Sequence, residues 1–218
     1  MKITVLGATG RLGSEVLSQA LDAGHQVVAY ARNPSTLQAR AGLTTIRGGL
    51  DDQAALNDAV SGSDVVVVAV GPRIKLSEAR KPTDFMQVHL PLILSAVAKA
   101  RVRLVLVSAN GVGASAAKSS VLARFAYRAV TGGLFEDKRV AELSLEGAGV
   151  DWTVVLPVSL TGATASGRVV VKDFDEVRHV PGFPSLPYAD AALGVLQVAT
   201  NPATAGTHQL ITSPKGWK

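Results

Sequence analysis

Three glycines, Gly7, Gly10 and Gly13, stand at i, i+3 and i+6 directly after the apolar run Ile3-Thr4-Val5-Leu6. A strand that turns into a helix through this spacing leaves unpaired backbone N–H groups converging on one point, where the helix dipole also favours negative charge. Gly7 permits the tight turn, Gly10 leaves room for a pyrophosphate, and Gly13 lets the new helix lie close to the sheet. The chemistry on offer is capture of a dinucleotide by its diphosphate, the competing reading being a purely structural turn. About 20 residues beyond such a turn, an Asp or Glu would grip the ribose hydroxyls of NAD. This chain has Tyr30-Ala31-Arg32-Asn33-Pro34 there, with no carboxylate. Arg32 offers a permanently charged fork suited to a phosphate, and Arg11 could approach the same group. The missing acid and the arginine predict NADP(H) in preference to NAD(H).

A second set of candidates could act on a substrate. Ser108 ends the predicted fifth strand, on the edge where open α/β sheets bind ligands; alternatively its hydroxyl only satisfies a local N–H. Asn110, His179 and Tyr188 are further possible donors, whereas His25, His89 and His208 read as packing or solvated residues. Phe174, Phe183 and Trp152 could offer a stacking surface, although Trp152 also suits the core. No His/Asp/Glu spacing suggests a metal site. The absence of cysteine excludes disulfides, zinc–thiolate centres and a thiol nucleophile.

The elements that must position these groups alternate along the chain. Strands are expected at Lys2–Leu6, Gln26–Tyr30, Thr44–Arg47, Asp64–Val70, Arg103–Ser108 and Trp152–Leu156. Helices are expected over 11–23, 52–60, 83–100, 135–148 and 189–200. Val65–Val68, four consecutive valines, is the pattern of a strand buried on both faces. Asp51 or Asp52 can cap the second helix and Thr83 or Asp84 the third, which Pro91 should kink. The alternation predicts an α/β, Rossmann-like doubly wound parallel sheet with helices on both faces and a small C-terminal substrate region, all in one domain over 1–218. Two segments break the rhythm, 109–133 and 159–187, and are the expected walls of a substrate pocket.

Bulk composition narrows the partners. The formal charge of +5 is scattered, with no basic run interleaved with aromatics, so nucleic acid is not expected. Apolar stretches are too short for a bilayer span, and the first strand begins at residue 3, so a cytoplasmic protein without a signal peptide or membrane partner is expected. Oligomeric state is left open, since Val121-Leu122, Phe125-Ala126 and Ala129-Val130 could be core, lid or subunit contact.

Gly7-Ala8-Thr9-Gly10-Arg11-Leu12-Gly13, Ala31-Arg32-Asn33-Pro34, Lys138 with Ala141-Glu142, and Gly149 to Pro157 together resemble the atypical short-chain dehydrogenase/reductases that bind NAD(P)H. Within that group the chain is similar to the flavin reductase/biliverdin reductase B family and to NmrA-like proteins; Val70-Gly71-Pro72-Arg73 and Leu186 to Ala192 also fit. The resemblance implies that Gly7, Thr9, Gly10, Arg11, Leu12 and Gly13 line the pyrophosphate and Arg32 the 2′-phosphate. It further implies Leu50 beside the adenine, Val70 and Gly71 beside the adenosine ribose, and Ser108 and Lys138 at the nicotinamide half, as the catalytic candidates. Pro157, Val158, Ser159 and Leu160 would lie beside the nicotinamide. Lys138 is otherwise an ordinary helix lysine.

The chain departs from that pattern in three places. Gly49 stands where relatives carry Asp, and Leu156 replaces an arginine. Most short-chain reductases also use Tyr-x-x-x-Lys, yet Leu134 stands four residues before Lys138. Tyr30, Tyr127 and Tyr188 are followed four residues on by Pro34, Thr131 and Ala192. Hydride addition to an unactivated ketone creates a basic alkoxide and needs a positioned acid. A flavin or quinone delocalises the charge and can be protonated afterwards by solvent. The expected activity is therefore NADPH-dependent reduction of a small-molecule flavin or quinone-like acceptor. The alternatives are a non-catalytic, redox-sensing NADP(H)-binding regulator and, less favoured, an epimerase or dehydratase.

Overall fold

The computed structural model describes residues 1–72 and 78–217. The chain runs through β1 (Lys2–Leu6), α1 (Arg11–Asp22), β2 (Gln26–Ala31), β3 (Leu43–Arg47), α2 (Gln53–Val60), β4 (Val65–Val68), α3 (Phe85–Ala100) and β5 (Arg103–Val107). It continues through α4 (Val121–Leu143), β6 (Trp152–Pro157), β7 (Ser159–Thr161), β8 (Val170–Asp173), β9 (Ser185–Pro187), α5 (Tyr188–Ala199) and β10 (His208–Thr212). Eight strands form one sheet in the order β3-β2-β1-β4-β5-β6-β10-β8, parallel throughout except for β8 against β10. β7 and β9 pair separately. α1 packs on α5, while α2, α3 and α4 pack side by side. This is the doubly wound Rossmann-like arrangement expected from the alternation.

The valine strand sits where its composition requires. β4 lies between β1 and β5, with Val5, Val67 and Val105 in one register row, and all four valines are buried. A strand covered by helices on both faces has no polar side, so an unbroken β-branched run is the stable choice. The crossovers need α1 close to β1, and Leu12, Val16, Leu17, Ala20 and Leu21 form its buried stripe.

Two local expectations are corrected. The helix expected over 135–148 starts at Val121 and ends at Leu143, so it takes in the second half of the 109–133 segment, while the first half holds a 3-10 turn over Gly113–Lys118. The helix continues through Gly132-Gly133 after a kink at Thr131 (φ −121°, ψ 16°). The glycine serves a close approach: a Cβ on Gly133 would overlap the Lys81 carbonyl, and the Leu134 N–H donates to the Ala79 carbonyl at 3.0 Å. Asp52 caps α2 as expected, accepting from the Ala55 N–H at 3.0 Å. At α3, however, Asp84 makes no side-chain cap bond, and Thr83 Oγ1 accepts only a 3.4 Å bond from the Phe85 N–H. The cap comes instead from Asp137 of α4, whose carboxylate accepts the N–H groups of Met86 and Gln87. Finally, β10 inserts between β6 and β8, although its five residues carry too little pattern to be read alone.

Candidate nucleotide and acceptor site

The glycine turn lies at the point where the strand order reverses, between the ends of β1 and β4, the crevice in which open α/β sheets bind ligands. Gly7 has φ +87°, and a Cβ there would stand 2.6 Å from the Ala69 carbonyl oxygen. A Cβ on Gly10 would meet the Gly7 carbonyl at 3.2 Å, and one on Gly13 would overlap it. No side chain caps α1 and no acid stands in its first turn. The first helical bond runs from the Ser14 N–H to the Gly10 carbonyl at 2.8 Å, which leaves the N–H groups of Arg11, Leu12 and Gly13 as orphan donors. Donors with no Cβ in the way and no competing carboxylate fit a diphosphate.

The remaining nucleotide-binding candidates surround this turn. The Gly7 N–H donates to the Tyr30 carbonyl at 3.2 Å, which places Arg32, just beyond β2, beside the turn. Arg32 is exposed and has no ion-pair partner among the described residues, whereas Arg40 is engaged by Asp22 at 2.6 Å. Val70 borders Gly7, and Gly71 faces open space. Leu50 is half-buried, and Thr9 is partly exposed beside Gly10. At Gly49 the Asp51 carboxylate occupies the space that a side chain would take. Arg73 lies outside the described residues. A cleft of about 380 Å³ opens between Arg11, Ser14 and Glu15 on one side and Thr161–Ala163, Ala165, Tyr188 and Ala189 on the other. There the Arg11 guanidinium stands 5.9 Å from the Tyr188 ring.

Ser108 and Lys138 come together with a third residue that was quoted above only as part of the resemblance. The Ser108 hydroxyl donates to the Glu142 carboxylate through a short hydrogen bond. The Lys138 ammonium donates to the Val107 carbonyl at 3.1 Å. Lys138 and Glu142 are four residues apart and therefore share one face of α4, a spacing visible in the sequence. Burial pushes the Lys138 ammonium below the usual lysine value, and the charges of Glu142 and Asp137 draw it partly back. Burial likewise pushes Glu142 above the usual carboxylate range, offset in part by the Ser108 hydroxyl and by Lys138. Two ionisable groups on α4 whose pKa values are both displaced by burial, facing the C-terminal end of β5, make this cluster a candidate functional site.

Leu134 occupies the position of the absent tyrosine, and its backbone is committed to Ala79. Asn110 is buried, donating at 3.4 Å to Ser119 Oγ, while its Oδ1 has no hydrogen-bond partner. Among the described residues no hydrogen bond, ion pair or ring contact links His179 to this cluster. Pro157 and Val158 are buried, Ser159 is exposed and Leu160 is half-buried. Of the stacking candidates, Phe174 is withdrawn into the core with Lys118 Nζ 4.6 Å from its ring centroid. Trp152 packs edge-on to His208 at 5.5 Å. Phe183 remains 49% exposed. No metal-binding group of His, Asp or Glu is present among the described residues.

The two irregular segments meet. The Val180 N–H donates to the Lys118 carbonyl at 2.8 Å, and the Tyr127 and Phe183 rings lie edge to face at 6.0 Å. The Asp190 carboxylate pins the second segment by accepting from Ser166 N at 2.9 Å, Ser166 Oγ at 2.6 Å and Gly167 N at 2.9 Å.

A doubly wound sheet with a glycine turn at its switch point is the arrangement of a dinucleotide-binding protein. The chain belongs to the NAD(P)H-binding family whose model matches residues 7–202. It is 30% identical over 182 residues, 83% of its length, to the (4-alkanoyl-5-oxo-2,5-dihydrofuran-3-yl)methyl phosphate reductase of Streptomyces griseus. It spans 55% of that relative's length and 24% of another curated relative that it matches. Among solved structures it is similar to a short-chain dehydrogenase/reductase from Veillonella parvula in complex with NADP, with a TM-score of 0.80 and 15% identity, covering 100% of this chain and 96% of that one. It is also similar to an anaerobillin reductase from Escherichia coli O157:H7, with a TM-score of 0.77 and 22% identity, covering 99% and 98%. In the described residues no helix is long and apolar enough to cross a membrane.

Proposed function

We propose that the chain is an NADPH-dependent reductase that delivers hydride to a flavin or quinone-like acceptor. The observation that carries this reading is the Ser108–Glu142–Lys138 cluster with Leu134, not tyrosine, one turn before the lysine. Bound NADPH would supply the hydride equivalent. The orphan amides of Arg11, Leu12 and Gly13 would hold its diphosphate, and Arg32 its 2′-phosphate. Lys138, fixed by the Val107 carbonyl, would stand at the nicotinamide half together with Ser108, whose hydroxyl Glu142 holds in one orientation. Pro157 to Leu160 would close the opposite side and help to exclude water.

The acceptor follows from the acid that is missing. A ketone would leave an alkoxide that leucine cannot protonate. A flavin or quinone needs only alignment, since its reduced anion is delocalised and water can protonate it later. The reductase names of the relatives support the reductase class. The test is NADPH oxidation, followed by absorbance, with FMN, riboflavin and a quinone. Turnover with at least one of them is expected. Saturable NADP(H) binding with no consumption by any acceptor would instead make the chain a non-catalytic, redox-sensing binding protein.

A further inference from the structure

The first half of α4 turns its apolar side outward. Val121, Leu122 and Phe125 are 76%, 69% and 74% exposed, and Ala129 and Val130 are exposed beyond them. At 3.6 residues per turn, Val121, Leu122, Phe125 and Ala129 share one sector of about 100°. Ala123, on the far side of the helix, is the buried residue of this half. Such a stripe normally faces a core. Here it is held in a formed helix with no core behind it. The Ser120 hydroxyl caps the start, accepting from the Ala123 N–H at 3.2 Å, and Thr131 Oγ1 donates to the Tyr127 carbonyl at 2.8 Å near the kink.

The charge around the stripe has one sign. No Asp or Glu stands between Asp84 and Glu136 in the sequence. Arg124 and Arg128, one turn apart at the edge of the stripe, are exposed and have no ion-pair partner among the described residues. Glu136, the next acid along the chain, is engaged by Arg139 at 2.6 Å. Phe183, half-exposed, meets Tyr127 of the same helical half edge to face and adds to the apolar surface.

An exposed apolar stripe edged by unpaired cations matches the interfacial zone of an anionic bilayer. Acyl chains take the stripe there, and lipid phosphates take the guanidinium groups. A second copy of the chain fits less well. A two-fold contact over this face would confine Arg124 and Arg128 of both copies in one apolar interface, with no acid to pair them. The sequence predicts no membrane partner because its apolar runs are too short to span, and no helix of the described residues could cross a bilayer. A helix lying flat in the interface needs only one apolar face.

We infer that the first half of α4 docks the protein on anionic membranes, with Val121, Leu122 and Phe125 entering the boundary between headgroups and acyl chains. Docking of this kind requires neither bound nucleotide nor turnover, so its failure would leave the proposed reductase activity standing. The test is co-sedimentation of the full chain with sucrose-loaded vesicles, made either of phosphatidylcholine alone or of phosphatidylcholine mixed with phosphatidylglycerol. Binding to the mixed vesicles is expected, falling with added salt and roughly tenfold or more weaker on phosphatidylcholine alone. Arg124→Gln/Arg128→Gln should weaken it roughly thirtyfold, about fivefold for each cation near an anionic surface. Phe125→Ser should weaken it roughly tenfold, a loss that attraction by net charge alone would not produce. Both variants replace exposed side chains, so unchanged urea midpoints are the check on folding. No binding to mixed vesicles, equal binding to both kinds, or binding that either variant leaves intact would overturn the inference. So would a dimer in analytical ultracentrifugation that Phe125→Ser abolishes, since a second copy would then cover the stripe.

Discussion

The buried carboxylate of Asp137 accepts the backbone N–H of Met86 at 2.9 Å, so that α4 caps α3 one residue before Lys138. The same carboxylate takes the Gln87 N–H at 3.1 Å and its side-chain amide at 3.3 Å. The lysine is thus positioned by a bond between helices 51 residues apart in sequence, rather than by α4 alone. Asp137→Ala would strand two donors at a helix N-terminus and should cost about 2–4 kcal/mol, seen as a lower urea midpoint. Asp137→Asn keeps one acceptor oxygen and should lose less. An alanine variant with wild-type stability would show that this cap contributes nothing.

Glu142 gives the protein a distinctive acid limb. Its folded pKa is raised by burial, so the native state keeps a proton that the unfolded chain has released. Stability from this group therefore falls as pH rises from its ordinary value of 4.5 through the raised one. Glu142→Gln removes that slope. Urea midpoints of the two proteins across this window should converge in acid and diverge as the wild-type carboxyl is forced to ionise. Parallel profiles would contradict the raised value. The same variant should alter the pH dependence of NADPH oxidation, since Ser108 loses its anionic partner.

Arg32 discriminates between the two coenzymes. Arg32→Ala should weaken NADPH by roughly tenfold to a hundredfold, the value of a charge-assisted phosphate contact, and leave NADH much less affected. Calorimetric titration with both coenzymes decides the matter. An equal loss for both would deny the arginine its phosphate.

Asp190 ties the second pocket segment to α5. Burial alone would raise its pKa, but the hydrogen bonds from Ser166 and Gly167 outweigh it and hold the carboxyl below its ordinary value. Its contribution is thus present above the unfolded pKa and is lost as pH falls through the folded one. Asp190→Ala should free the loop around the exposed Arg168 and speed tryptic cleavage there by roughly an order of magnitude, through local opening. Unchanged cleavage would mean that other contacts hold the loop.

The glycine turn was legible because it is local. Glycine spacing, the strand before it and the helix after it all lie within residues 2–22, and one turn geometry needs all three. The valine strand was legible for a similar reason: burial on both faces dictates composition. What escaped depends on distance. Asp137 acts on a helix that begins far upstream, and no local rule links them. The start of α4 at Val121 escaped as well, because the sequence does not reveal that the Lys81 carbonyl passes beside Gly133. Glu142 could have been found from its spacing to Lys138; only its meeting with Ser108 required the fold. β10 is short and follows a loop, and its neighbours β6 and β8 determine its place.

The edge-to-face contact of Tyr127 with Phe183 and the hydrogen bond from Val180 to Lys118 couple the two segments proposed to flank the acceptor mechanically. Exchanges made on one flank will therefore be felt on the other, and changes in acceptor preference should combine non-additively when both are altered. Re-engineering this chain toward a bulkier oxidant would have to treat the flanks as a single hinge-less jaw rather than as two independently adjustable loops.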